Sequence, residues 1–106
     1  MIPKYPPQLK VYADASFDKY NKKSVISWSC PFGLTSNSVV IYSHSDNNEA
    51  ELAAVCLASS DLGNEVEIMT DSLYAIENFK GPNRVIKTNR DNTANFAARL
   101  SNEKTR

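Results

Sequence analysis

Apolar and polar side chains alternate over residues 9–17, with Val11 and Ala13 on one side and Tyr12 and Asp14 on the other. This is the period of a strand with two unlike faces. Ahead of it, Pro3, Pro6 and Pro7 predict an extended leader over residues 1–8. The polar stretch 18–23 predicts a turn. Residues 24–32 carry β-branched and aromatic side chains that favour a second strand, closed by Pro31 and Gly33. Residues 39–43 (VVIYS) predict a third strand, and such short connections imply an antiparallel meander. Tyr12, Trp28, Phe32 and Tyr42 all fall at strand positions, where core packing is expected rather than stacking on bases.

The period changes at Asn48. Leu52, Val55, Cys56, Ser59 and Leu62 recur at helical spacing, Ala50, Ala53, Ala54 and Ala58 add helix propensity, and Gly63 is placed to cap the end. Residues 66–70 (VEIMT) predict a fourth strand and residues 72–79 a short helix stopped by Gly81 and Pro82. A last helix is expected over residues 91–101 on Ala94, Phe96, Ala97 and Leu100, followed by a frayed tail, 102–106. A helix between the third and fourth strands lets the fourth run parallel to the first through a crossover. The order describes one α/β domain over residues 1–106. Its mixed sheet is a three-strand antiparallel meander plus a parallel strand, with helices packed on it.

Composition narrows the class. A chain of 106 residues with 42% apolar content has room for one core and fits a folded protein. It has no run of about 18 apolar residues and no secretory h-region at its start, so a soluble, intracellular protein without membrane contact is expected. The cytoplasm is the first expectation, with the nucleus or a virus particle as alternatives. Cys30 and Cys56 lack any CxxC or Cys/His spacing and are expected as buried thiols rather than zinc ligands. His44 is expected at the surface, and no Gly-rich phosphate loop or Ser/His/Asp set is evident.

The zero net charge conceals a segregation. Residues 1–23 carry five lysines, residues 24–79 carry eight acids and no lysine or arginine, and residues 80–106 carry seven basic side chains. An uneven but merely solvated surface is one explanation. The other is an acidic centre that needs cations, flanked by basic segments that hold a polyanion through Lys22, Lys23, Arg84, Lys87 and Arg90.

Three acids lie at element ends: Asp14 in the first strand (VYADAS), Glu51 at the start of the first helix (NNEAELAA) and Asp71 at the end of the fourth strand (EIMTDSLYAI). If the first and fourth strands are neighbours, the two aspartates project side by side and Glu51 faces them. Such a cluster is costly unless cations neutralise it, and oxygen ligands suit two Mg²⁺ or Mn²⁺ ions. Each acid also has a local explanation. Asn48 with Glu51 three residues on matches a capping box, and Asp71 or Ser72 suits the N-cap of the next helix. Asp14 has none, since aspartate is depleted inside strands.

The set YADAS, NNEAELAA and MTDSLYAI resembles the ribonuclease H family, including the ribonuclease H domains of retroelement reverse transcriptases, over about residues 9–80. The resemblance implies a ribonuclease H-like fold and a two-metal endonuclease that cuts the RNA strand of RNA–DNA hybrids. It also implies catalytic and metal-binding roles for Asp14, Glu51 and Asp71. Asn47 and Asn48 match the family's minor-groove contacts, and Ser16 and Ser72 match positions beside the acids.

The sequence departs from the family in two places. The segment ASFDKYNKKS lacks the glycines common after the first acid, and DNTANFAARL offers Asn95 where the family's final helix carries a fourth acid, unless Asp91 substitutes. Two alignments of the end remain. In one, residues 83–101 are the fifth strand and final helix. In the other they are the connecting segment and helix that precede the fifth strand. The second is preferred, because 24 positions between Asp71 and Asn95 look short for helix, strand and helix. It implies a four-stranded sheet whose fourth strand is an open edge for pairing with another chain or a second copy. It also implies an alternative function, a catalytically weak nucleic-acid-binding or protein-interaction module without the fourth ligand.

Overall fold

The computed structural model describes residues 9–30, 36–41 and 46–89. The elements run β1 (Lys10–Asp18), β2 (Lys23–Ser29), β3 (Ser36–Ile41), α1 (Asn47–Leu62), β4 (Glu67–Thr70), α2 (Leu73–Asn78) and β5 (Val85–Lys87). They build one five-stranded sheet in the order β3-β2-β1-β4-β5. β1, β2 and β3 form the expected antiparallel meander, and β4 runs parallel to β1 with Val11 opposite Ile68 and Tyr12 opposite Met69. The mixed α/β architecture expected from the period changes is present.

One expectation is overturned. β4 is not an edge, because Val85–Lys87 pairs parallel to it, with Ile68 opposite Val85 and Thr70 opposite Lys87. Residue spacing misled here because α2 takes only six residues and β5 only three, so helix and strand fit where longer elements would not. Pairing of another chain along β4 is therefore closed off. The expected helix over residues 91–101, with Asp91 and Asn95, lies outside the described residues, as do the leader, the tail, Phe32, Tyr42, His44 and Arg90.

α1 lies on the sheet through a face of small side chains. Ala50, Ala54 and Ala58 recur every fourth residue with no exposed surface, and they pack with Val55 and Leu62 on Val11, Ala13, Ile26, Trp28 and Ile68. Alanine lets the helix axis approach the strands closely, since nothing longer than a methyl stands between them. This face differs from the stripe read in the sequence. Leu52 is only half-buried and Cys56 is exposed, so only Cys30 is the buried thiol expected. The start differs as well. Asp46 is the N-cap, accepting from the Glu49 backbone N–H at 2.9 Å, which makes Asn47 the first helical residue and places Glu51 in the second turn. A capping box from Asn48 to Glu51 is thereby excluded. The far end is capped as expected, Gly63 adopting φ 81° and donating its N–H to the Ser59 carbonyl.

Side-chain hydrogen bonds pin that far end. Trp28 Nε1 and Asn37 Nδ2 both donate to Asp61 Oδ2, at 2.6 and 2.8 Å, tying α1 to β2 and β3. Asn83, buried ahead of β5, donates from Nδ2 to the carbonyls of Gly63 (2.7 Å) and Val66 (3.0 Å) and accepts from Ser59 Oγ. One amide thus joins the end of α1, the approach to β4 and the approach to β5. Among the described residues no helix is long and apolar enough to cross a membrane.

Because Asn83 satisfies the buried Val66 carbonyl as well as that of Gly63, Asn83→Ala is expected to lower the unfolding free energy by about 1–3 kcal/mol. Urea unfolding measures this, and a change below about 0.5 kcal/mol, typical of an ordinary surface position, would refute the clamp.

Candidate active site

The parallel register of β1 and β4, continued by two residues, puts Asp14 level with Asp71. β4 stops at Thr70, whose Oγ1 accepts the Ser72 N–H at 3.1 Å, and Ser72 Oγ in turn caps α2 by accepting the Ala75 N–H at 3.1 Å. Asp71 sits in the bend between them. Ser72, rather than Asp71, therefore serves as the N-cap.

Glu51 reaches the pair from α1. Leu9, Val11, Ala13 and Ala15 share one parity along β1, and the Leu9 carbonyl accepts the Glu67 N–H at 2.9 Å, so this set faces β4. Beyond the end of β4 the Ala15 N–H has no strand partner. Glu51 Oε1 takes it at 3.3 Å, while Glu51 Oε2 is buried without any hydrogen-bond partner. One oxygen from each of Asp14, Glu51 and Asp71 lies within 4.8 Å of the others. The convergence expected from their element ends is thus the observed geometry.

The cluster is electrostatically costly. Asp14 and Glu51 are each only 7% exposed, and Asp71 is half-buried. Burial above all, then the negative charge of Asp14 and a hydrogen bond with its carboxyl, then the charge of Asp71, push the Glu51 carboxyl up from an ordinary 4.5 to about 10, against a lowering contribution from the Ala15 N–H. Each pH unit of displacement is worth about 1.4 kcal/mol, so an ionised Glu51 without a compensating cation would cost several kcal/mol. That is a large part of the roughly 5–15 kcal/mol that holds a domain together.

Beside the carboxylates is a hollow of about 320 Å³ lined by Asn47, Asn48, Glu51, Asp71, Ser72, Leu73 and Tyr74. Asn47 and Asn48 are exposed on the first turn of α1, so the structure brings both to the acids. Ser16 lies half-buried on β1, two residues beyond Asp14 and on the same face. Leu73 and Tyr74 were not singled out in the sequence. Their signal was an apolar pair at the start of a helix, and they are 56% and 38% exposed at the rim.

A family model described as RNase H matches residues 6–105. The chain belongs to the RNase H family. The match extends past β5. This domain has the mixed sheet and helices of an RNase H-like fold. Its donor set fits hard divalent cations, because all three groups offer carboxylate oxygen, they repel one another, and Glu51 Oε2 has no donor to satisfy it.

The raised Glu51 pKa gives a signed pH dependence. Its stabilising contribution is complete below about 4.5 and is lost as pH rises toward about 10. In EDTA, Glu51→Gln, which cannot ionise, is expected to raise the melting temperature relative to the parent by an increment that grows from about pH 5 to about pH 9. A roughly 100-residue domain gains about 4–8 °C per kcal/mol relieved. Thermal unfolding across that range checks the expectation, and an increment that shrinks with pH contradicts it.

Proposed function

We propose that this domain is a divalent-metal-dependent endonuclease that cuts the RNA strand of RNA–DNA hybrids. The observation that carries the reading is the convergence of Asp14, Glu51 and Asp71 within 4.8 Å at the carboxyl end of the parallel strands, in a chain of the RNase H family. These three would hold two Mg²⁺ or Mn²⁺ ions. When bound, such a pair supplies an activated water and compensates charge on the leaving oxygen of an in-line phosphoryl displacement.

The chain's own residues set up that chemistry. The Ala15 N–H holds Glu51 Oε1, and Oε2 is buried without a hydrogen-bond donor. Asp14 on β1 and Asp71 just past the end of β4 are set side by side by the pairing of those parallel strands. Asn47 and Asn48 present amides beside the hollow, where they would read the wide minor groove of an A-like duplex and its 2′-hydroxyls. Ser72 Oγ already accepts the Ala75 N–H, which leaves its proton for a phosphate oxygen, and Ser16 would act similarly from β1.

A second reading, a binding module of low activity, is favoured by Asn95, an amide where the family's fourth acid stands in the alignment that includes a fifth strand. The two readings differ in rate rather than in site.

A labelled RNA–DNA hybrid decides between them. Cleavage of the RNA strand is expected with Mg²⁺ or Mn²⁺ and none in EDTA. Asp71→Asn is expected to cost at least about 100-fold, more than the loss of a group that only supports a ligand. The same change should not lower the melting temperature in EDTA, because it removes a repelling charge. A hybrid left intact under both metals sinks the nuclease reading, and wild-type cleavage by Asp71→Asn sinks the site.

With β5 in place, the alignment that sets Asn95 at the fourth acid is the one supported, so Asn95→Asp is expected to increase Mg²⁺-dependent cleavage. A carboxylate adds charge and a stronger ligand oxygen than an amide. An unchanged rate in that variant would show that Asn95 stands elsewhere.

A further inference from the structure

The pairing of β1 with β2 continues to Asp18 opposite Lys23, whereas its pairing with β4 runs only through Tyr12 opposite Met69. The β1–β2 hairpin therefore projects past the acid cluster. Residues 19–22 close it, and Lys19, Lys22 and Lys23 crowd its tip around Tyr20. Three observations at this tip bear on its use.

First, Tyr20 is 86% exposed, with no packing role for a large aromatic ring, and the Lys19 ammonium sits 5.3 Å from the ring centroid. Ring and cation are thus offered to solvent together. Second, Lys22 adopts φ 53°, the left-handed region where glycine or asparagine is the low-strain choice. A lysine standing where the backbone disfavours it points to a use for its charge, since local rules are broken most often at functional positions. Third, the only acid of the tip is committed internally. Asp18 accepts from the Tyr20 N–H (3.0 Å), the Asn21 N–H (3.4 Å) and Asn21 Nδ2 (2.8 Å). The Asn21 side chain, then the Tyr20 N–H, hold its carboxyl below the usual range, so it stays ionised and stiffens the turn. The tip is a preformed basic projection rather than a loose loop.

Charge complementarity names the occupant. The acid cluster repels a polyanion unless cations intervene, so affinity for a duplex has to come from elsewhere on the surface, and this tip stands beside the cluster. At about 3.3 Å per residue, Asp18 lies roughly 13 Å beyond Asp14 along β1. Successive phosphates of one strand advance by about 3.4 Å along a duplex axis, so that reach covers roughly four nucleotides.

We propose that the β1–β2 hairpin tip is a second nucleic-acid contact, in which Lys19, Lys22 and Lys23 hold backbone phosphates of the hybrid outside the cleavage site and Tyr20 packs on its sugar-base surface. This rests on the ribonuclease H reading and adds to it a surface separate from the acids and the hollow. The contact reads no sequence, since phosphates position a duplex without specifying it. It sets affinity and its salt dependence.

The test uses the full chain carrying Asp71→Asn, to slow cleavage, and measures hybrid binding by fluorescence anisotropy across a salt series. Replacing Lys19, Lys22 and Lys23 together by Gln is expected to weaken binding at least about tenfold and to flatten the slope of log K against log salt by about 2–3, at roughly 0.9 for each phosphate no longer neutralised. Tyr20→Ala should weaken binding several-fold and leave the slope unchanged. Lys22→Gly is the discriminating variant. It should keep or raise the melting temperature while weakening binding, a split that a purely structural lysine would not produce. A triple variant with the parent's affinity and slope overturns this inference alone. A parent chain that neither binds nor, with Asp71 restored, cleaves the hybrid overturns both this inference and the nuclease reading.

Discussion

Mutual repulsion among three carboxylates is the constraint on which the rest of the molecule depends, because nothing in an apolar core brings Asp14, Glu51 and Asp71 within 4.8 Å unaided. The opposing force is distributed. Parallel pairing of β1 and β4 sets Asp14 beside Asp71, just past the end of β4. The alanine face of α1 presses Glu51 inward, and Asp61 and Ser59 pin the other end of that helix through Trp28, Asn37 and Asn83. Burial and the neighbouring negative charges push the Glu51 carboxyl up, a cost that a divalent cation would offset.

Much of this was legible in the sequence. The period change from strand to helix near Asn48, the turn at residues 18–23 and the Gly63 cap all appear where their local chemistry put them, because each depends on neighbours a few residues away. Asp14 announced itself for the same reason, as an acid in a strand pattern. What was illegible depends on tertiary partners. Glu51 matched a capping box by spacing, yet Asp46 holds the cap, and only the sheet beneath α1 reveals why an acid occupies its buried stripe. Cys56 shared that stripe by period and faces solvent, since alanine at every fourth position let a different face approach the sheet.

β5 was hidden for another reason. A three-residue strand carries too few positions to show a period, and its position is set by Asn83 and by ladder bonds to β4 rather than by its own pattern. The Ile68 N–H donates to the Arg84 carbonyl and the Thr88 N–H to the Thr70 carbonyl, both at 2.9 Å, so the strand exists through what β4 offers it. Counting residues between Asp71 and Asn95 assumed elements of ordinary length. The chain uses minimal ones.

The length of β4 has a chemical consequence. Its ladder with β1 uses backbone groups of the parity shared by Leu9 and Ala15, and it ends at Thr70. Further strand residues, beginning with Asp71, would supply a carbonyl to the Ala15 N–H, and that N–H is the group that holds Glu51 Oε1. They would also carry Asp71 along the extended chain instead of into the bend that Thr70 and Ser72 create. A longer β4 would gain ladder hydrogen bonds of about 1 kcal/mol each and lose the opening through which α1 meets β1. The sheet thus gives up pairing at the point where the carboxylates converge, and the backbone donor left over by that early stop is what orients the third of them.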